Sequence, residues 1–106
     1  MTTFDKREEA FEKKFTIDED LKFKSVARRN KLLGLWVAAK LGKSGADADA
    51  YAKEMVAAGI DGGDASVIRK ATGDVAAEGG TIAESEFGVK MAELLAVAVT
   101  QVKAGV

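Results

Sequence analysis

Cysteine, histidine and proline are all absent from the 106 residues of the chain. Without cysteine there is no disulfide and no thiolate ligand for a metal. Without histidine the chain lacks the side chain that most often serves as a general base and as a metal ligand. Since no activated nucleophile or base is visible among the remaining residues, these absences argue against an enzyme and predict no cofactor.

Strong net charge and long apolar segments are missing as well. The formal net charge is −1, which gives no reason to expect a nucleic acid or an anionic membrane as the main partner. The longest wholly apolar run covers residues 94–99, far short of the roughly 20 residues that span a bilayer. The first residues, MTTFDKREEAFEKKF, are too charged for a signal peptide. We therefore expect a soluble, cytoplasmic protein without direct membrane insertion.

The residues that are abundant favour helices. Proline is absent, Ala, Lys, Glu and Leu are frequent, and these four are good helix formers. Groups of glycines divide the chain at regular intervals, and apolar residues recur every three or four positions between them. We predict an all-α domain over residues 17–106, a small four-helix bundle with helices at about 17–41, 45–58, 64–78 and 82–104.

Local signals predict how these helices begin and end. Gly42 and Gly59 suit left-handed C-terminal positions, with Ile60 folding back on Met55. Ser44 is a candidate N-cap, and Thr81 to Glu84 fit a capping box. The last helix is apolar over the widest arc, which predicts that it lies most centrally in the bundle.

We predict that residues 1–16 form a separate N-terminal arm. A second capping box, Thr16 to Glu19, predicts that a new helix starts after it. An isolated helix of this length is marginal in water. The arm combines phenylalanines at helical spacing with charged residues, a composition typical of a segment that folds against a partner. Its candidate partner-binding residues are Phe4, Arg7, Glu8, Phe11, Glu12, Lys14 and Phe15.

A few residues suggest a phosphate site instead. Gly42, Lys43 and Ser44 match the end of a P-loop, but Val37 stands where the pattern requires glycine and the preceding residues favour a helix over a strand. The acidic pairs in the chain do not match a calcium-binding loop. The candidate anion-binding residues are Arg28, Arg29, Lys43 and Ser44, and they define an alternative function as a small nucleotide- or anion-binding regulatory domain.

Several blocks of sequence, in order, resemble one known family. They are the opening MTTFDKREEAFEKKF, ARRNKLLGLW from Ala27 to Trp36, YAKE from Tyr51 to Glu54 and ELLAVAV from Glu93 to Val99. Together they resemble the zeta subunits of alphaproteobacterial F-type ATP synthases over nearly the whole chain. The resemblance implies a four-helix domain that docks on the enzyme and an N-terminal arm that inserts at a catalytic alpha/beta interface.

The resemblance also implies a function and partners. Members of the family inhibit ATP hydrolysis by the F1 sector, and the implied partners are its alpha, beta and gamma subunits. The implied location is cytoplasmic, peripheral to the inner membrane through ATP synthase. A nucleotide is a further, weak candidate ligand, and a helical adaptor with an unrelated partner is a third interpretation.

Overall fold

The computed structural model describes residues 19–105, and every regular element in that range is an α-helix. We number the helices α1 (Glu19–Lys40), α2 (Gly45–Ala77) and α3 (Glu84–Ala104). The predicted all-α class is confirmed. The arm, its candidate residues and the capping box at Thr16 lie outside the described residues.

The second helix contains a reversal of the chain. Gly63 has φ 69° and ψ −161°, a non-helical conformation inside α2. The hydroxyl of Tyr51 donates to Oδ2 of Asp74 at 2.7 Å, although 23 residues of straight helix would separate the two by about 34 Å. The parts before and after Gly63, residues 45–62 and 64–77, therefore lie side by side.

The predicted count of four helices is not confirmed, because the described residues form three. The predicted helices 45–58 and 64–78 both fall within α2, which continues past Gly59 and departs from helical geometry only at Gly63. The glycines at 59 and 62 have no positive φ. One residue rather than a glycine-rich linker makes the turn.

Two of the predicted helix ends are wrong. Gly59 is not a C-terminal residue; it lies within α2 against the buried amide of Asn30, where a Cβ would collide with that side chain. Ile60 is 65% exposed and does not fold back on the fully buried Met55. At α3 the N-cap is Ala83 without a side-chain hydrogen bond, so Thr81 does not begin the helix.

The turn between α1 and α2 agrees better with the predicted helix ends. Gly42 is left-handed, with φ 77°. The N–H of Lys43 donates to the carbonyl of Ala38 at 2.9 Å, and that of Gly42 donates to Ala39 at 3.1 Å, which is a Schellman ending. Ser44 occupies the N-cap position of α2, although its hydroxyl makes no capping hydrogen bond.

The core lies around α1 rather than α3. Contacts join α1 to α2 and α1 to α3, whereas α2 and α3 have few with each other. The predicted central position of α3 is wrong, since only Phe87, Ala98 and Val99 are buried on it. Other apolar residues of α3, such as Val89 and Val97, are exposed, while α1 contacts both of the other helices. The buried cluster includes Leu33, Val37, Tyr51, Met55, Val67, Val75 and Phe87.

Candidate partner-binding surface

α1 contains a run of basic residues that divides between the interior and the surface: Lys22, Lys24, Arg28, Arg29 and Lys31. Arg29 is 5% exposed; its Nη2 donates to Oδ1 of Asn30 at 2.9 Å and also bonds the carboxylate of Asp64. This pair joins α1 to the first turn after Gly63. Because its guanidinium is buried and already paired, the role of Arg29 in this structure is to hold the two helices together.

The other face of the run lines an open groove of about 510 Å³, which we call the α1 groove. Helical spacing places Lys24, Arg28 and Lys31 on one side of α1. Arg28 is held in place by a hydrogen bond from Nη1 to Oε1 of Gln101 on α3, at 3.1 Å. The lining residues of the α1 groove are Phe23, Lys24, Ala27, Arg28, Lys31, Val56 and Val102.

Phe23 gives the α1 groove an apolar character that sequence reasoning missed. Its side chain is 63% exposed, unusual for a phenylalanine within a helix of a small domain. The signal available in the sequence was its spacing of four from Ala27 in the midst of basic residues. Exposed aromatic and basic groups beside one another suit a partner that is both apolar and acidic.

The four candidate anion-binding residues are not brought together. Lys43 and Ser44 lie in the turn beyond the end of α1, whereas Arg28 lies 12 residues before Lys40, its last residue. That stretch of helix alone is about 18 Å long. Arg29 faces the interior. Among the described residues, no group of acidic side chains could hold a metal ion.

Trp36 anchors the contact between α1 and α3. Its ring packs edge-on against Phe87, with centroids 6.3 Å apart and planes at 72°. The ammonium groups of Lys40 and Lys90 lie 4.7 and 5.7 Å from the ring centroid. Trp36 is partly buried against the core.

A polar cluster that the sequence analysis did not identify links the two parts of α2. Lys70 Nζ lies 3.1 Å from Asp74 and 3.2 Å from Glu54, and 4.8 Å from the centre of the Tyr51 ring. Tyr51 completes the cluster through its hydrogen bond to Asp74. Residues 51 and 54 precede the reversal and 70 and 74 follow it, so their proximity depends on the fold and has no sequence motif.

Ionisation in this cluster is shifted. Burial alone would raise the pKa of Asp74, but hydrogen bonds from Tyr51 and Lys70 outweigh it and lower that pKa. Burial alone would lower the pKa of Lys70, but its bonds to Asp74 and Glu54 raise it. Burial and then the bond to Asp74 raise the pKa of Tyr51. At neutral pH the cluster holds a carboxylate, an ammonium and a neutral phenol.

These features define a small helical protein whose described surface offers a groove for a macromolecular partner. The chain belongs to the family of ATPase inhibitor subunit zeta, whose family model matches residues 1–101. Membership makes it a regulatory protein rather than an enzyme, with ATP synthase F1 as the implied partner. Between residues 19 and 105, no helix is both long enough and apolar enough to span a membrane.

A solved structure supports the same fold. A protein determined by solution NMR is 44% identical, with a TM-score of 0.69, and the match covers 81% of this chain and 99% of that chain. The comparison with curated proteins gives no match. This similarity supports the fold independently of the family match.

Proposed function

We propose that the chain inhibits ATP hydrolysis by the F1 sector by inserting its N-terminal arm at a catalytic alpha/beta interface. There the arm blocks rotation of the central gamma subunit in the hydrolytic direction. The chain thereby acts in the cytoplasm, at the inner membrane, through its attachment to ATP synthase. The observation that carries the proposal is the family match, which begins at residue 1 and includes the arm.

The composition of the arm supports this role. A helix of 16 residues is about 24 Å long, enough to reach into a subunit cleft. Phe4, Phe11 and Phe15 supply anchors that stabilise a complex by roughly 1.5–3 kcal/mol each when buried. Arg7, Lys14, Glu8 and Glu12 set the register and orientation through charge complementarity. The helical domain raises the affinity by keeping the arm close to its cleft.

Removal of residues 1–16 tests the proposal. The truncated protein should no longer suppress ATP hydrolysis by isolated F1, because the inserted segment is gone. Its circular dichroism should still show a folded helical domain, since α1 to α3 lie outside the deletion. A truncated protein that inhibits as fully as the intact chain would contradict the role of the arm.

A point variant addresses the anchors without shortening the chain. Replacement of Phe4, Phe11 and Phe15 together by Ala should weaken inhibition by at least about a hundredfold. The matched control is Ile60→Ala, which removes an exposed apolar side chain from α2 and should leave inhibition within about twofold of the intact chain.

A further inference from the structure

We propose that the α1 groove is a second contact with the F1 sector and binds an acidic, amphipathic segment at the mouth of the cleft that the arm enters. The inference rests on the proposed function, and it adds a surface of the helical domain and the chemistry of its partner. It is carried by three observations: the position of the groove next to the arm, its exposed apolar floor and its basic rim.

The position follows from the chain itself. Eighteen residues precede Glu19, the first residue of α1. Phe23 lies four residues further on and Lys31 twelve, which is about 6 and 18 Å along the helix axis. Any protein that encloses the arm up to its last residues therefore meets the first turns of α1. The α1 groove begins within those turns.

The floor of the groove is apolar and open. Phe23 is 63% exposed, and Ala27 lies one turn further along the same face of α1. Val56 of α2 and Val102 of α3 line the groove from the neighbouring helices. An exposed aromatic ring flanked by aliphatic side chains from three helices is a surface that binding would stabilise by removing it from water.

The rim determines the charge of the occupant. Lys24, Arg28 and Lys31 all line the groove, and none of its described lining residues is acidic. Lys24 is 3.1 Å from Asp20 one turn before it, but both side chains are largely exposed, at 60% and 75%. Such a pair contributes little stability, so a partner carboxylate can replace Asp20 at small cost. Gln101 accepts a hydrogen bond from Arg28, so the cations on which the charge of the occupant depends are Lys24 and Lys31.

A protein segment fits these features better than a lipid surface or a nucleic acid. The chain as a whole carries a net charge of −1, so long-range attraction to a polyanion is absent. The groove instead places Lys24 and Lys31 beside apolar floor residues, which matches a helix with carboxylates on one edge and apolar residues on the adjacent one. Complementary charges would set the orientation of the helical domain on F1.

The test reverses two of the cations in the full-length chain. The Lys24→Glu/Lys31→Glu variant should bind F1 about tenfold more weakly at low salt, and the difference should shrink at high salt because screening removes the repulsion. Inhibition of ATP hydrolysis should weaken in parallel. The matched control is Lys53→Glu/Lys103→Glu, which changes the net charge equally at exposed sites outside the groove and should bind within about twofold of the intact chain.

A second variant addresses the apolar floor. Phe23→Ala should weaken binding to F1 by about tenfold at low and high salt alike, because it removes buried area and no charge. Circular dichroism melts of all variants should match the intact chain, since the altered side chains are exposed.

Each contrary outcome has its own meaning. Unchanged binding by both groove variants, while removal of residues 1–16 abolishes inhibition, would overturn the groove contact and leave the proposed function intact. Stronger inhibition by the lysine variant would also overturn it and would indicate that carboxylates of the arm itself occupy the groove. Equal weakening by the control variant would reduce the effect to net charge and overturn the inference. Full inhibition by the truncated chain would instead contradict the proposed function. The binding measurements on the groove variants would still show whether the α1 groove contacts F1.

Discussion

At the residue scale, the closest approach of two helices depends on Gly34. A Cβ at this position would lie 2.7 Å from the Cα of Ala52 and 3.1 Å from the Cβ of Met55. Both neighbours are fully buried, and Ala52 presents backbone that cannot rotate away. Glycine in mid-helix costs about 1 kcal/mol relative to alanine, and here that cost is offset by the contact between α1 and α2.

The Gly34→Ala variant should therefore be destabilised. Overpacking of a tight core costs about 1–3 kcal/mol, more than the roughly 1 kcal/mol that the better helix propensity contributes. Urea denaturation followed by circular dichroism measures the free energy of unfolding. Gly73→Ala is the matched control: no atom lies within 4 Å of its Cβ, so it should stabilise the protein by up to about 1 kcal/mol. A Gly34→Ala protein as stable as this control would show that the helices can separate freely.

The spacing of apolar residues in the sequence indicates core positions, but it does not show which charged side chains are buried. The three-and-four spacing of apolar residues agrees with the burial of Tyr51, Met55 and Val67. Adjacent positions on a helix differ by about 100° in direction, so Arg28 and Arg29 must face different ways. The spacing does not show which of the two is buried. Only the location of Asp64 on a neighbouring element shows which guanidinium is buried and paired.

At the element scale, the reversal of α2 depends on one glycine. Gly63 combines φ 69° with ψ −161°, a region that residues with a Cβ rarely adopt. The polar cluster of Tyr51, Glu54, Lys70 and Asp74 then forms across the reversal. Two members of the cluster precede Gly63 and two follow it, so these contacts stabilise the side-by-side arrangement that the reversal produces.

Replacement of Gly63 by Ala should destabilise the domain by about 1–3 kcal/mol, the usual cost of such a backbone conformation for an L-residue. Thermal unfolding followed by circular dichroism would measure the loss. Gly88→Ala, in the helical part of α3 with open space around its Cβ, is the control and should be neutral or slightly stabilising. If Gly63→Ala unfolded at the same temperature as the control, the observed φ would not be required for folding.

The sequence predicted the end of a helix correctly only where hydrogen bonds between near neighbours determine the backbone conformation. Gly42 ends α1 through hydrogen bonds between near neighbours, so its role was predictable. Gly59 has the same local signal, but it packs against Asn30 on α1, and continued helix satisfies its backbone. A distant contact decided between two conformations that the local sequence permits.

At the scale of the whole molecule, the chain lacks the side chain that ordinarily titrates in the physiological range. No histidine is present, and histidine is the side chain whose ordinary pKa lies between pH 5 and 8. The resolved pKa shifts among the described residues belong to Tyr51, Lys70 and Asp74. We therefore expect stability to be nearly flat around neutral pH and to fall towards acid and alkali.

The direction in which stability changes with pH follows from the direction of each pKa shift. The lowered pKa of Asp74 stabilises the fold above the ordinary value near 3.9, and this contribution is lost as the pH falls through the lowered value. The raised pKa of Lys70 stabilises it below about 10.4, and that contribution is lost as the pH rises through the raised value. Tyr51 acts in the same direction as Lys70.

The Asp74→Asn variant should be less stable than the intact protein at pH 7, and the difference should narrow below about pH 4, where Asp74 loses its charge in the unfolded chain. Urea denaturation at a series of pH values measures it. Asp61→Asn, an exposed change of the same chemistry on α2, is the control. A difference from the intact protein that stayed constant down to pH 2 would contradict the role of ionised Asp74.

The sequence by itself determined the all-helical class of the described residues and the ending of α1 at Gly42. Each depends on propensity, on hydrogen bonds within a few residues or on composition, and these act locally. Tertiary structure alone decided that α1 lies between its neighbours, that the chain reverses at Gly63 and that Arg29 is buried while Lys24, Arg28 and Lys31 line an open groove. These depend on contacts between residues far apart in the chain, and helical periodicity shows which residues share a face without showing what covers it.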